Sequence, residues 1–312
     1  MSFKLGLVGL CTSHPYTWVP IIRQMVKDDK VDLEIVAAWD SGETREAGFA
    51  QEFCKEFDIP VAVQSLDEMV DRVDGVIVHT TNWDRHLEQA RPFVEAGKAV
   101  IIDKPIVGNM SDAAVFLDWL KQGKRITGGS SLRFTPQIKD FLEKPEEERG
   151  AIHCAYACIG MDDFNYGIHG YAIISALMGP GVKSVQYIGS SAQKHIKISW
   201  GNGNIALLTV GTSQWLPFNL TVVTSKNVEH IVAQGFYESF LEGILPYITG
   251  ETDVPPLSVD EILEPELTAM AAKISWQNNV REIFLSDLPS DYPGYDGVQF
   301  AREYRRARME TA

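Results

Sequence analysis

From residue 3 to about residue 130 two kinds of segment alternate, and that alternation narrows the possible folds more than any other property of the chain. FKLGLVGL, DLEIVAAW, GVIVHT and AVIID are short and almost continuously apolar, as parallel strands covered on both faces must be. Between them lie PYTWVPIIRQMVKDD, GETREAGFAQEFCKEF, DRHLEQARPFVEAG and SDAAVFLDWLKQG. These have helical periodicity, with acidic or hydroxyl residues near their starts. Gly97 and Gly123 fall where helix C-caps are expected. Strand–helix alternation of this kind predicts a doubly wound parallel sheet.

The pattern changes near residue 150. AIHCAYACIG, KSVQYIGSS, KHIKISW, NIALLTVGTS, NLTVVTS and VEHIVAQG follow one another as strands, with a hairpin signal at Trp200-Gly201-Asn202-Gly203-Asn204. YGIHGYAIISALMG interrupts them as a helix, and FYESFLEGILPYITG and VDEILEPELTAMAAKISWQNNVREIF come after as two more. The expected organisation is α/β plus α+β: a parallel-sheet domain over residues 1–130 and a second domain over 131–312, built on a large antiparallel or mixed sheet. An exposed apolar face on that sheet would be covered by a sister subunit, which predicts a homo-oligomer. The tail, DYPGYDGVQFAREYRRARMETA, ends in a basic, helix-prone stretch that reads as a solvated helix, a packing arm or a subunit-contacting arm.

Composition excludes several classes of function. With 28 Lys+Arg against 42 Asp+Glu among 312 residues the net charge is −14, which disfavours nucleic acid and anionic membrane as partners. No apolar run approaches the ~20 residues of a membrane helix. Cys11, Cys54, Cys154 and Cys158 are too few for a disulfide scaffold. Cys154 and Cys158 lie four apart on one strand, ~13 Å from each other, too far to share a bridge or an ion. Reduced thiols in a cytoplasmic protein are expected, with no metal site.

Three segments carry chemistry. In GLVGLCTSHPYTW a strand reaches Gly9, turns, and starts a helix near Pro15. Gly9, Leu10, Cys11, Thr12, Ser13 and His14 occupy the six positions of a dinucleotide-binding G-x-G-x-x-G, and only the first glycine is present. Thr12 and Ser13 could add hydroxyls beside the helix N-terminus, an anion-attracting position. The segment reads as a dinucleotide site or as a generic strand–helix turn. Asp40 ends DLEIVAAWD, where a carboxylate can accept both ribose hydroxyls and repel a 2′-phosphate, favouring NAD over NADP; it could equally cap the next helix. Lys104-Pro105 follows AVIID at the C-terminal end of a parallel strand, where ligands bind in such sheets. An ammonium there can stabilise charge developing on an alcohol oxygen.

In these segments and their order the chain resembles the Gfo/Idh/MocA family of NAD(P)-dependent oxidoreductases. The resemblance rests on Thr80-Thr81-Asn82, His86, Ala90, Gly97-Lys98 and Asp103-Lys104-Pro105, then on Arg133, Phe134 and Pro136, and on NYGIHGYAIISALMG with His169. It implies a Rossmann domain, NAD, and a hydride transfer to or from a secondary alcohol of a sugar, inositol-like polyol or derivative. Lys104 would polarise the substrate hydroxyl and His169 would act as general base, a role that suits imidazole near neutral pH. Asn165, Tyr166 and Arg133 would contact substrate. Gly9, Cys11, Thr12, Ser13, His14, Asp40, Thr80, Thr81, Asn82, His86 and Asp103 would line the cofactor site. Asn165 replaces the aspartate that often precedes the family histidine by four residues, so it can touch substrate without serving as acid or base. This departure and the thinned glycine pattern motivate two alternatives: a non-catalytic sensor with the same fold, or an NAD-using glycoside hydrolase or lyase. Trp18, Trp83, Phe164 and Trp215 are candidate stacking rings, and His14 is the one remaining histidine that would open onto the cleft.

Overall fold

The computed structural model describes residues 1–189, 193–278 and 281–311. The first half alternates strand and helix throughout: β1 Phe3–Val8, α1 His14–Lys27, β2 Leu33–Trp39, α2 Phe49–Glu56, β3 Val61–Ala62, α3 Leu66–Val70, β4 Gly75–Val78, α4 His86–Glu95, β5 Ala99–Asp103, α5 Met110–Lys121 and β6 Ile126–Gly129. The six strands pair in the order β3-β2-β1-β4-β5-β6, all parallel. The order reverses between β1 and β4, which opens a crevice at the strand C-termini. Leu7, Val8, Val76, Ile77, Ile101 and Ile102 are all buried, as strands covered on both faces require. The expected helix over GETREAGFAQEFCKEF begins only at Phe49, behind Gly48 in the left-handed region. Residues 40–48 instead form a loop that borders the crevice.

The second half contains α6 Pro136–Glu143, α7 Glu146–Arg149, β7 Ile152–Cys158, α8 Gly167–Met178, β8 Val182–Tyr187, β9 Lys194–Trp200, β10 Ile205–Val210, β11 Asn219–Thr224, β12 Val228–Val232, α9 Phe236–Thr249, α10 Val259–Ile262, α11 Glu264–Gln277, β13 Ile283–Phe284 and α12 Gly297–Thr311. Its sheet has the order β12-β11-β7-β10-β9-β8-β13 and is mixed: β7 and β10 run parallel, the other neighbours antiparallel. Helices α8 and α11 pack on one face, burying Ala155, Ala157, Leu208, Ile196 and Val185 beneath them. The last two residues of KSVQYIGSS, Ser190 and Ser191, lie outside the described residues, as do Asn279 and Val280 of the long C-terminal helix expected above. That helix is two, α10 and α11, and its VREIF end contributes strand β13.

Two helices of the second half belong in space to the first sheet. Phe240, Leu241, Ile244 and Leu245 of α9 share a core with Leu5, Trp18, Ile22, Ile77 and Ile101. A parallel sheet needs helices over both faces, and α9 supplies cover beside α1 that the first 130 residues do not. Helix α12 crosses back to the strand C-termini of the same sheet, where Phe300 packs on Trp83 and the amides of Gly297 and Val298 donate to Asp84.

A buried carboxylate of α11 joins the halves: Glu266 accepts from the Ile106 amide, 3.0 Å away, just past Lys104-Pro105, while Glu264 accepts from the amides of Gly181 and Val182 within the second half. Burial pushes the Glu266 carboxyl from 4.5 up to about 7. A raised acid favours the protonated form in the fold, so its contribution is whole at low pH and is lost as pH rises through about 7. Glu266→Gln keeps the acceptor for Ile106 without the charge. The variant should match wild type near pH 4, below the unfolded value of 4.5, and be the more stable at pH 8, by on the order of 3 kcal/mol in urea unfolding. Equal pH dependence in the two proteins would refute this role for Glu266.

Candidate active site

Strand β5 ends at Asp103, and the chain continues through Lys104 and a cis Lys104–Pro105 peptide. Asp103 is 3% exposed, yet it is the acceptor for three donors. Its Oδ2 lies 2.5 Å from His14 Nδ1 and 3.4 Å from His79 Nδ1, and its Oδ1 accepts the Lys104 amide at 2.7 Å. Burial alone would raise this carboxyl. The His14 charge and hydrogen bond, with those of His79, outweigh it and hold Asp103 well below the usual carboxylate range. His14, first residue of α1, is fixed from its other side by stacking on Trp18 at 5.1 Å, with the Tyr237 ring edge-on at 5.4 Å. His14, His79 and Asp103 are also the only trio of metal-ligating groups of this compactness among the described residues. The 2.5 Å separation is that of a hydrogen bond; two ligands of one tetrahedral zinc lie roughly 3.3 Å apart.

Lys104 reaches across to the second half. Its Nζ donates to the backbone carbonyl and to the side-chain oxygen of Asn165, both at 3.0 Å, and lies 5.5 Å from the centre of the Tyr166 ring. Asp162, which caps the turn into α8 through the amides of Phe164 and Tyr166, also bears on this ammonium. Burial lowers the Lys104 pKa, against the opposing pull of Asp103 and Asp162. An ammonium has three N–H donors. Asn165 takes two, which leaves one for a ligand.

His169, on the first turns of α8, is 5% exposed and packs against Phe218. Its Nδ1 lies 2.7 Å from Ser130 Oγ. With the proton on Nδ1 and donated to Ser130, Nε2 keeps its lone pair. Burial depresses the His169 pKa well below 6.5, and the nearby charges of Lys104 and His14 add to that. The ammonium of the first half and the imidazole of the second therefore share one electrostatic environment.

The first turn is built differently from what its letters suggest. Gly9 has φ +81°, and a Cβ there would come within 2.4 Å of Thr80 Oγ1, so this glycine is required. The Cys11 side chain, at the second fingerprint position, does not project into the crevice. It is buried against Thr81, whose amide and hydroxyl approach Sγ at 3.1 and 2.7 Å. Burial raises the thiol pKa. Thr12 Oγ1 accepts the His14 amide and Ser13 is exposed. Asp40 is not a helix cap: its two oxygens accept the amides of Leu10 and Gly42, tying the first turn to the loop after β2.

Several expected ligand contacts are placed elsewhere. His86 is fully buried, and its ring nitrogens face the carbonyls of Thr80 and Ile106, so it braces two loops instead of lining a groove. Asn82 is fully buried and spends its side chain on Glu43 and the Asp84 amide. Thr80 Oγ1 is bonded to Gln89. Arg133 donates to the Glu261 carbonyl. Trp18, Trp83 and Phe164 are packed on His14, Phe300 and Tyr295, while Trp215 is exposed. Asp162 and His79 carry no motif that marks them in the sequence; Ser130 opens the stretch Ser130-Ser131-Leu132-Arg133-Phe134, whose last two residues belong to the family resemblance.

Two sheets, a crevice at a topological switch point and a lysine–histidine pair from opposite halves define a dinucleotide-fold domain with a companion domain closing over its strand ends. Residues 3–128 match the Gfo/Idh/MocA family model, described as an oxidoreductase family with an NAD-binding Rossmann fold. That match covers the N-terminal sheet domain. A protein of Amycolatopsis mediterranei named as a UDP-kanosamine synthase oxidoreductase subunit is 27% identical over 138 residues, 44% of this chain and 36% of that protein. The match thus spans well under half of that relative. Over the whole fold the chain is similar to an oxidoreductase from Thermotoga maritima (TM-score 0.75, 15% identity, 93% of this chain and 100% of the other). It is similar too to myo-inositol dehydrogenase from Lactobacillus casei in complex with NAD(H) and myo-inositol (TM-score 0.73, 16% identity, 91% and 97%). No helix among the described residues is long and apolar enough to cross a membrane.

The His169 environment gives a direct expectation. Its imidazole should stay neutral at about pH 6.5, where an unperturbed histidine is half protonated, and Lys104→Met should move its midpoint upward. Proton NMR titration of the ring checks both; a midpoint at the ordinary value in wild type would contradict the geometry.

Proposed function

We propose that the chain is an NAD-dependent dehydrogenase acting on a secondary alcohol of a sugar, inositol-like polyol or derivative. The observation that carries this reading is the meeting of Lys104, from the end of β5, with Asn165 and Tyr166 at the entry to α8, the helix that carries His169. The first turn fits a dinucleotide: Gly9 makes the tight bend, and the inward Cys11 thiol keeps a side chain out of the path of a pyrophosphate beside the α1 N-terminus. A carboxylate has about four lone-pair sites, so Asp40 can accept a ribose hydroxyl while keeping its two amides. Bound NAD would supply the hydride acceptor.

The chain's own residues do the rest. Lys104 is oriented by Asn165, a positioning residue, and turns its remaining N–H to the substrate hydroxyl, where it stabilises the negative charge that grows on oxygen. His169 takes the hydroxyl proton at Nε2, its tautomer set by Ser130. The depressed His169 pKa keeps the base unprotonated through neutral pH. The Asp103–His14–His79 cluster fixes the backbone from which Lys104 projects. Two domains holding both reactants supply the orientation on which much of the rate depends.

The same reading includes a cytoplasmic setting, from the four unbridged thiols, and a homo-oligomer. Tyr156, Val223, Val228 and Val232 project from the second sheet at 43, 38, 61 and 43% exposure, a face that a second copy would bury.

A screen of polyols and sugars with NAD and NADP, followed by Lys104→Met on the best substrate, tests the assignment. The variant should lose about 10²–10⁴-fold in kcat with retained NAD affinity. Unchanged kcat would remove Lys104 from the chemistry, and absence of any dinucleotide binding would leave the non-catalytic reading.

A further inference from the structure

The C-terminal helix does not extend into solvent, and it docks on the loops that border the crevice. Arg308 Nη1 donates to the Cys11 carbonyl at 2.9 Å and the Tyr304 hydroxyl to the same oxygen at 3.4 Å. Cys11 is the residue at the second fingerprint position, where a bound pyrophosphate would approach most closely. One turn earlier Arg305 donates to the carbonyls of Gly42 and Glu43 and lies 3.9 Å from Glu46. Arg305 therefore anchors the helix to the loop that follows Asp40. Between this helix and that loop runs a groove of about 770 Å³, lined by Arg45, Glu46, Glu52, Tyr304, Arg305 and Arg308 among others.

Arg45, Arg305 and Arg308 share this groove with the carboxylates Glu46 and Glu52. Glu46 offsets Arg305, but Arg45 has no salt-bridge partner among the described residues. Its guanidinium lies over the Phe49 ring at 4.2 Å, and its Nε is buried without a hydrogen-bond partner. Burial and the neighbouring Arg308 both work against its charge. Two guanidinium groups held together with an unsatisfied donor are the arrangement that an anion relieves. The first turn, meanwhile, is short of the donors a pyrophosphate normally finds: two of three glycines are absent and the Leu10 amide is already taken by Asp40.

We propose that α12 completes the cofactor site, with Arg308 and Arg45 binding a nucleotide phosphate in place of contacts the thinned first turn lacks. The inference rests on the dinucleotide reading above. Arginine is suited to this: five N–H donors in a planar fork let one guanidinium hold a backbone carbonyl and a phosphate oxygen together. The ligand class is a phosphate of a dinucleotide, either the pyrophosphate common to NADH and NADPH or the 2′-phosphate that only NADPH carries.

Fluorescence titration of the full-length chain with NADH and with NADPH separates these sources and needs no turnover. Arg308→Met should weaken binding about tenfold or more and flatten its dependence on ionic strength. An equal loss for both cofactors identifies the pyrophosphate; loss for NADPH alone identifies the 2′-phosphate. Arg308→Lys should fall between wild type and Arg308→Met, because a lysine keeps the charge and loses the fork. Arg305→Met loosens the helix and should leave the ionic-strength dependence as in wild type. Unchanged affinity in Arg308→Met, or tighter binding, would overturn the proposal and make α12 a bystander or a cover over the groove. Weaker binding with an undiminished salt dependence would overturn it too, as mere undocking. A wild-type chain that binds neither cofactor defeats the dehydrogenase reading itself, whereas a binding wild type with an indifferent Arg308 variant defeats only this inference.

Discussion

A buried carboxylate at the end of one strand organises the crevice side of the first domain. Asp103 gathers His14 from the first turn, His79 from the end of β4, and the amide of Lys104. An ionised carboxylate out of water costs several kcal/mol unless its oxygens are paired. That cost makes the three partners obligatory and fixes the relative positions of three strand ends. The Lys104 side chain leaves from this rigid point, and its ammonium then reaches Asn165 on the other half. One acidic residue thus sets where the Lys104 side chain starts, and a neutral amide sets where it ends. A glutamate at position 103 would carry its oxygens one methylene further, into the space of His14 and Trp18.

The same constraint explains a histidine at the third fingerprint position. A glycine there would let helix and strand pack closely, whereas His14 holds the helix start by a charge-assisted hydrogen bond and a ring stack. Cys11 solves the second position by turning inward to Thr81. The turn therefore keeps its dinucleotide-type path with one glycine, Gly9, at the place where any side chain would collide with Thr80. What the turn gives up in exposed amides lies beside the arginines of α12.

The parallel sheet and the mixed second sheet follow from apolar patterning, which depends on short stretches of contiguous sequence, whereas the roles of Lys104 and His169 come from the family resemblance. The elements that escaped are of a different kind. Strands β3 and β13 have two residues each, too short to show a period. Helix α9 has apolar residues that suit either half, and only the uncovered face of the first sheet decides which one it joins. The basic tail lands on Cys11 across nearly 300 residues of sequence, a pairing no local pattern can announce. His86 and Asn82 show the converse. Their types suit a ligand groove, but burial commits them to carbonyls and amides of neighbouring loops. Ser130 is invisible for a related reason: a lone serine gains meaning only once His169 is seen 2.7 Å away.

Dehydrogenation at this site requires an ammonium and an imidazole, from opposite halves, to converge on one alcohol oxygen. A crystal structure of the chain with NADH and a polyol that it oxidises would decide this. A single hydroxyl oxygen should lie about 3 Å from both Lys104 Nζ and His169 Nε2, with Ser130 retained at Nδ1. A polyol bound elsewhere, or an oxygen that meets only one of the two groups, would contradict it.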